Sequence, residues 1–239
     1  MLHPEEHRHH CAKEEFIVTS SQGKDLVFMH PAYGPEIYCG IQSKMDEDNL
    51  NLKIPTTLDA IALAESAFDL DSKLSDEIRN EVTGIMYGKW ILTSTAILYI
   101  PNKGAYVHQE LSREMFFLDK YQLVNKLGSN VNDAKFVLFG YQIGKMSIEE
   151  FKTNPFLIAL AGEEGAANAV RLAGRFKHQE PFLGSFNSID TPTVRFTTLF
   201  TSIGNNERLY IDSRYPTNTP YGFTFGIKRQ AEGPIVPIT

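Results

Sequence analysis

Short β-prone runs and turn residues alternate near the start of the chain. Residues 16–19 and 25–29 are rich in β-branched and aromatic side chains, and the glycine-containing segment between them predicts a hairpin. Residues 36–41 predict a third strand. The polar stretch 43–53 includes the acidic residues 46–48 and predicts an exposed loop.

Two helices are predicted next. Thr56 and Asp59 have the spacing of a capping box, and apolar residues then recur at helical spacing as far as Phe68. Ser75 predicts the start of the second helix, because acidic residues follow it where the helix dipole is positive. A glycine within residues 84–88 is expected to end that helix.

The clearest β pattern follows these helices. Residues 90–100 and 105–108 are joined by a Pro-Asn-Lys-Gly turn, which predicts a second hairpin. Asp119 and Gln122 then predict the start of a short helix that Gly128 ends.

The middle of the chain mixes strand-like and helical patterns. Residues 135–139 predict a strand, and Ser147 with Glu150 forms a capping box before a short helix. Residues 156–161 predict either a buried strand or a short helix beginning at Pro155, because so short an apolar run has no decisive period. A helix and a final strand over residues 163–176 and 182–186 would complete a β-α-β-α-β segment.

The last part of the chain has three strand candidates, residues 194–202, 208–215 and 221–228. These patterns predict an α+β fold: a single compact domain with a mixed sheet, an N-terminal hairpin and helices, the central β-α-β-α-β segment and C-terminal antiparallel strands. We expect residues 1–12 to be a disordered tail and residues 13–239 to form the domain, with a soft lobe boundary near residues 128–133.

Composition narrows the classes of function. Hydrophobic residues make up 42% and charged residues 22% of the 239 positions, as in folded soluble proteins. The net charge of −6 and the lack of a basic stripe disfavour nucleic acid as a partner. No apolar run is long enough for a transmembrane helix, which predicts no membrane partner. Two cysteines make no disulfide framework, so a cytoplasmic location is expected.

The N-terminal tail concentrates metal-binding residue types. Imidazole and thiolate are ligands for zinc and other transition metals. Because all of these residues lie on one nonapeptide, adventitious binding by a solvated tail is the alternative to a physiological site. The candidate ligands are His3, His7, His9, His10 and Cys11.

Catalytic chemistry has only scattered candidates in this sequence. His30 and Cys39 flank a proline- and glycine-containing turn and have the residue types of a base and a nucleophile. An enzyme would therefore need a site assembled from distant parts of the chain. The candidates for such a distributed site are His30, Cys39, His108, Asp190, Arg208 and Asp212.

A binding surface is predicted in the C-terminal third. Arg208, Tyr210 and Asp212 alternate along a predicted strand and could share one sheet face with Arg214. Arg and Tyr are favoured where proteins meet, although the same pattern is typical of a solvated antiparallel face.

The sequence leaves three candidate functions. The sequence favours a non-catalytic binding or homo-oligomeric assembly protein, whose partner is itself or another protein. The alternatives are an enzyme of undetermined class with a distributed site, and a metal-responsive protein that uses the N-terminal His and Cys cluster.

Overall fold

The computed structural model describes residues 13–19, 23–201, 207–216 and 222–228. The strands are β1 (Glu14–Thr19), β2 (Asp25–His30), β3 (Tyr33–Glu36), β4 (Trp90–Ile100), β5 (Gly104–His108), β6 (Lys135–Leu138), β7 (Gly144–Lys145), β8 (Phe182–Gly184), β9 (Thr193–Thr201), β10 (Leu209–Tyr215), β11 (Gly222–Thr224) and β12 (Ile227–Lys228). The helices are α1 (Tyr38–Glu47), α2 (Thr57–Phe68), α3 (Asp76–Gly88), α4 (Lys120–Ser129), α5 (Ile148–Lys152) and α6 (Pro155–Ala173), with 3-10 turns at Arg113–Phe117 and Val131–Asp133.

Two sheets organise these elements. The smaller has the order β1-β2-β12, and the larger has the order β3-β11-β4-β9-β10-β8-β7, with β5 and β6 added beside β4. In the larger sheet β4 pairs with β11 and β8 pairs with β10 in parallel, while the other pairs are antiparallel. The predicted α+β domain with a mixed sheet is therefore confirmed.

Apolar side chains pack against both faces of the larger sheet. The main core packs α2, α3 and α6 against one face, through residues such as Ile91 of β4, Leu199 of β9 and Ile211 of β10. A second core packs α1 and α4 against the opposite face, through residues such as Leu98 and Phe196. Strand β4 belongs to both cores, and all of its residues except the first and last are buried.

A bulge interrupts β4 at its most buried point. The pairing register between β4 and β9 shifts between Leu92 and Ala96, where three buried hydroxyl residues, 93–95, follow one another. The backbone N–H of Thr57, in the first turn of α2, donates to Thr95 Oγ1 over 2.9 Å, and Thr95 Oγ1 donates to the Gln109 carbonyl over 3.0 Å. These bonds satisfy buried polar groups and fix α2 on the sheet.

Helix starts agree with the predicted caps. Thr56 and Asp59 form a complete capping box before α2, and the Ser75 side chain accepts a hydrogen bond at the start of α3. Asp119 and Ser147 head capping boxes before α4 and α5. The two predicted hairpins are also confirmed, as β1–β2 and β4–β5.

The prediction for residues 36–47 was wrong. A strand over residues 36–41 and a loop over residues 43–53 were expected, whereas α1 occupies Tyr38–Glu47. Its buried residues Tyr38, Ile41 and Met45 recur at helical spacing. The acidic run that suggested a loop lies at the end of this helix, and its carboxylates bond to side chains of other segments.

The middle segment differs from the predicted alternation. Its order is β6, β7, α5, α6 and β8, so two helices follow each other without a strand between them. Residues 156–161, which the sequence left open, are helical and belong to α6. Gly162, with φ 75°, kinks α6 where the sequence predicted a new helix. The predicted strand 221–228 divides into β11 and β12, which belong to different sheets.

The predicted division of the chain is not tested by these features. Residues 1–12 lie outside the described residues. The soft boundary near residues 128–133 stays a prediction, and elements from both sides of it share one sheet and pack together, as α2 and α6 do.

We expect Thr95→Val to lower the free energy of unfolding by about 2 kcal/mol, because it removes the partner of a buried N–H and of a partly buried carbonyl at nearly constant side-chain volume. Urea denaturation followed by circular dichroism measures the change. Thr191→Val, at an exposed position, is the control and should be neutral. Equal stability of Thr95→Val and the parent chain would show that the bulge does not depend on this hydroxyl.

Candidate binding surface

A row of aromatic side chains crosses four neighbouring strands of the larger sheet. Tyr210 of β10 lies opposite Phe182 of β8 on one side and Phe200 of β9 on the other. Trp90 of β4 continues the row beyond Phe200. Because side chains alternate along a strand, the neighbours Leu199 and Ile211 point into the main core and the rings point to the opposite face. We call this surface, with Arg214 and Tyr215, the aromatic face.

The rings of the aromatic face contact one another in sequence. The ring centroids of Phe182 and Tyr210 are 4.9 Å apart, and those of Tyr210 and Phe200 are 4.8 Å apart, in stacked geometry. The ring centroid of Trp90 lies 6.4 Å from that of Phe200, in an edge contact, and 4.7 Å from that of Tyr215. All five rings are partly exposed. Their mutual contacts restrict rotamer freedom, so a partner would meet a surface that is already ordered.

An ion pair lies at the edge of this row. The carboxylate of Asp212 is fully buried, and it accepts hydrogen bonds from Arg214 Nε over 2.9 Å and from the Arg214 backbone N–H over 3.0 Å. The Arg214 guanidinium lies 5.3 Å from the Phe182 ring centroid. Gly184 leaves room for the Asp212 carboxylate, because a Cβ at position 184 would lie 2.2 Å from Asp212 Cγ.

This ion pair also sets the electrostatics of the aromatic face. The hydrogen bonds to Asp212 raise the pKa of Arg214, so the guanidinium is charged at any physiological pH. Burial, with the nearby charge of Asp212, raises the pKa of Tyr215, so its hydroxyl is neutral. The aromatic face therefore presents one compensated ion pair and uncharged rings.

Two of the predicted binding residues lie on this face. Tyr210 lies in the middle of the aromatic row, and Arg214 lies at its edge, against the Phe182 ring. Arg208 instead precedes β10 and is buried, with Nη2 3.7 Å from a carboxylate oxygen of Glu180. Arg208 is thus a less suitable probe of a surface contact than Tyr210.

The predicted catalytic residues lie in different surroundings. His30 ends β2 and pairs with Glu81 of α3, with Nε2 3.1 Å from Oε2, and the same carboxylate accepts the Ala32 N–H. Cys39 is a free thiol in α1. His108 ends β5, and burial lowers the pKa of its imidazole.

The two predicted acidic residues also differ from each other. Asp190 is exposed in the segment between β8 and β9, whereas Asp212 is buried beneath Arg214. Of the distributed candidates, Asp212 is the one that belongs to the aromatic face.

The metal prediction concerns residues 3–11, which lie outside the described residues, and it stays a prediction. Within residues 13–19, 23–201, 207–216 and 222–228, no group of three or more His, Cys, Asp or Glu side chains could hold a metal ion. No helix in the described part of the chain is long and apolar enough to cross a membrane.

Sequence reasoning missed Phe182, Phe200 and Trp90. They lie on separate strands, and the spatial order β8-β10-β9-β4 is not the order of the chain. One sequence feature could have indicated these residues. Each is an aromatic residue at or near the end of a strand, two positions from a buried residue on the same face of that strand. That signal becomes informative only once the pairing register is known.

Comparison with known proteins adds one distant similarity. No family model matches the chain, and no curated protein matches it. A solved structure reported under the words "Accommodation of massive sequence variation in Nanoarchaeota by the C-type lectin fold" is 14% identical, covers 90% of this chain and 98% of its own, and has a TM-score of 0.48. Nothing about function follows from a similarity at that level.

We expect Arg214→Met to lower the free energy of unfolding by about 2 kcal/mol, because it leaves the buried Asp212 carboxylate without its charged partner. Chemical denaturation at pH 7 measures the loss. The double variant Arg214→Met, Asp212→Asn should recover part of it, because the uncompensated buried charge is then absent. Additive effects of the two substitutions would contradict a coupled pair.

Proposed function

We propose that this protein is a non-catalytic binding protein that associates with a second copy of itself through the aromatic face. The observation behind this proposal is the ordered row of partly exposed rings from Phe182 to Trp90. Trp, Tyr and Arg are the residue types that dominate the binding energy of protein interfaces.

The charge on the aromatic face favours a second copy as the partner. The chain has a net charge of −6, so the overall charges of two copies repel each other. On the aromatic face Arg214 and Asp212 compensate each other, and the rings are neutral. Two such faces can meet about a two-fold axis without opposing like charges, which is the usual arrangement of soluble homodimers.

The shape of the surface supports association more than small-molecule catalysis. The aromatic face is built on paired strands, whose backbone hydrogen bonds hold the rings in register. An apolar, ordered surface supplies contact area at low cost in conformational entropy. Among the described residues, the candidate acids, bases and nucleophiles lie outside it, except for the ion-paired Asp212.

We also propose a cytoplasmic location. The support is compositional, since the chain has two cysteines in 239 residues and Cys39 is a free thiol. Association with another protein, in place of a second copy, is the alternative that the experiment below separates.

Sedimentation velocity from about 0.1 to about 100 μM tests the proposal across the micromolar range of affinities. We expect a monomer–dimer equilibrium in this range. Tyr210→Ala should weaken dimerisation by at least about 30-fold, because truncation of one central interface ring typically costs about 2 kcal/mol.

Tyr121→Ala is the matched control, because Tyr121 is 80% exposed on α4 and lies outside the aromatic face. It should dimerise like the parent chain. A parent chain that stays monomeric throughout would remove the second copy as partner, and a dimer that Tyr210→Ala leaves intact would move the interface elsewhere.

A further inference from the structure

A cleft of about 610 Å³ lies between α1, the segment after it and the segment that follows β5. This volume is within the range of sites for small organic ligands. Its two walls come from distant parts of the chain, residues 42–54 and residues 110–116. The cleft is separate from the aromatic face, since the two share no residue.

Two ion pairs join the walls of the cleft. Arg113 donates through Nε to Asp46 Oδ2 over 2.8 Å, and its Nη2 lies 2.6 Å from the same oxygen. Lys53 Nζ lies 3.0 Å from Glu110 Oε1. In each pair the cation reaches solvent and the carboxylate lies deeper: the side chains of Arg113 and Lys53 are 66% and 53% exposed, whereas those of Asp46 and Glu110 are 21% and 24% exposed.

The deeper carboxylate of Asp46 is held in place by the helix that carries it. Gln42, one turn earlier in α1, is buried and donates through Nε2 to Asp46 Oδ1 over 2.8 Å. Apolar side chains, including Met45 and Phe116, complete the lining. The cleft therefore has fixed acidic groups, movable basic groups and apolar walls.

The pairing of charges selects the class of ligand. Ion pairs with an exposed cation contribute little net free energy, about 0–1 kcal/mol, so a ligand can displace one partner at low cost. An anion that bound Arg113 would leave the Asp46 carboxylate without its charged partner, and a cation that bound Asp46 would leave the Arg113 guanidinium without its own. A ligand that carries both a positive and a negative charge can separate such an ion pair and still give each of its two groups a partner of opposite charge.

We propose that this cleft binds a zwitterionic ligand of short-peptide size with apolar side chains. Its carboxylate accepts from the Arg113 guanidinium, which can bind a carboxylate with two parallel hydrogen bonds. Its ammonium group donates to Asp46 or Glu110. Its side chains lie against the apolar walls that include Met45 and Phe116.

Isothermal titration calorimetry with the free dipeptides Leu-Leu and Ala-Phe tests the proposal on the full chain, at peptide concentrations up to about 10 mM, where millimolar affinities are still measurable. N-acetyl-Leu-Leu and Leu-Leu amide each lack one terminal charge and keep the side chains. We expect the free dipeptides to bind and each blocked peptide to bind at least about tenfold more weakly.

Three variants localise the binding to the cleft. Arg113→Met and Asp46→Asn should each weaken binding of the free dipeptide by about tenfold or more. Glu110→Gln is a second test on the other ion pair, because Glu110 is the other proposed acceptor of the ammonium group. It should also weaken binding, and it keeps the proposal open to refutation if either of the first two variants fails to fold. Arg175→Met is the control, since Arg175 pairs with Asp69 in a similarly exposed ion pair away from the cleft.

The proposal is overturned if neither free dipeptide gives a binding heat, if the blocked peptides bind as well as the free ones, or if Arg175→Met weakens binding as much as the cleft variants do. Tyr210→Ala should leave dipeptide binding unchanged. Dimerisation and dipeptide binding therefore succeed or fail separately.

Discussion

The bulge in β4 is the constraint on which the rest of the structure depends. A central strand buried on both faces must satisfy every polar group internally, and a bulge leaves some of them outside the ladder. Here the backbone N–H of Ser94 donates to the Pro55 carbonyl, just before α2, over 2.7 Å, and the Thr95 hydroxyl accepts the Thr57 N–H in the first turn of α2. Helix α2 is thereby attached to the strand that both hydrophobic cores share.

The two faces of the larger sheet have different roles because of what covers them. The main core covers one face with α2, α3 and α6. The second core covers only part of the other face, and beyond it the rings around Tyr210 remain partly exposed. The aromatic face thus continues a buried surface, but no helix in the described part of the chain covers it, and this position accounts for both its apolar character and its order.

Local chemistry was predictable from the sequence, and spatial order was not. Thr56, Asp119 and Ser147 mark helix starts because capping depends on residues within one turn. Tyr210 and Arg214 could be singled out because they alternate on one strand. Phe200 and Trp90 could not, because their proximity depends on non-sequential strand pairing, and α1 was missed because its acidic end resembles a loop. The cleft could not be predicted either, because Asp46 and Arg113 are distant in the chain and come together only in the folded protein.

The position of residues 222–228 has a consequence for synthesis on the ribosome. Strand β11 lies between β3 and β4, and β12 pairs with β2, so the last described strands complete pairings begun by the first. A nascent chain that has emerged only as far as β10 has an open slot in one sheet and an unpaired edge in the other, the kind of edge that invites wrong partners. The domain can therefore close only after translation has passed residue 228, and until then a chaperone that shields β2 and β4 would have a physical reason to bind.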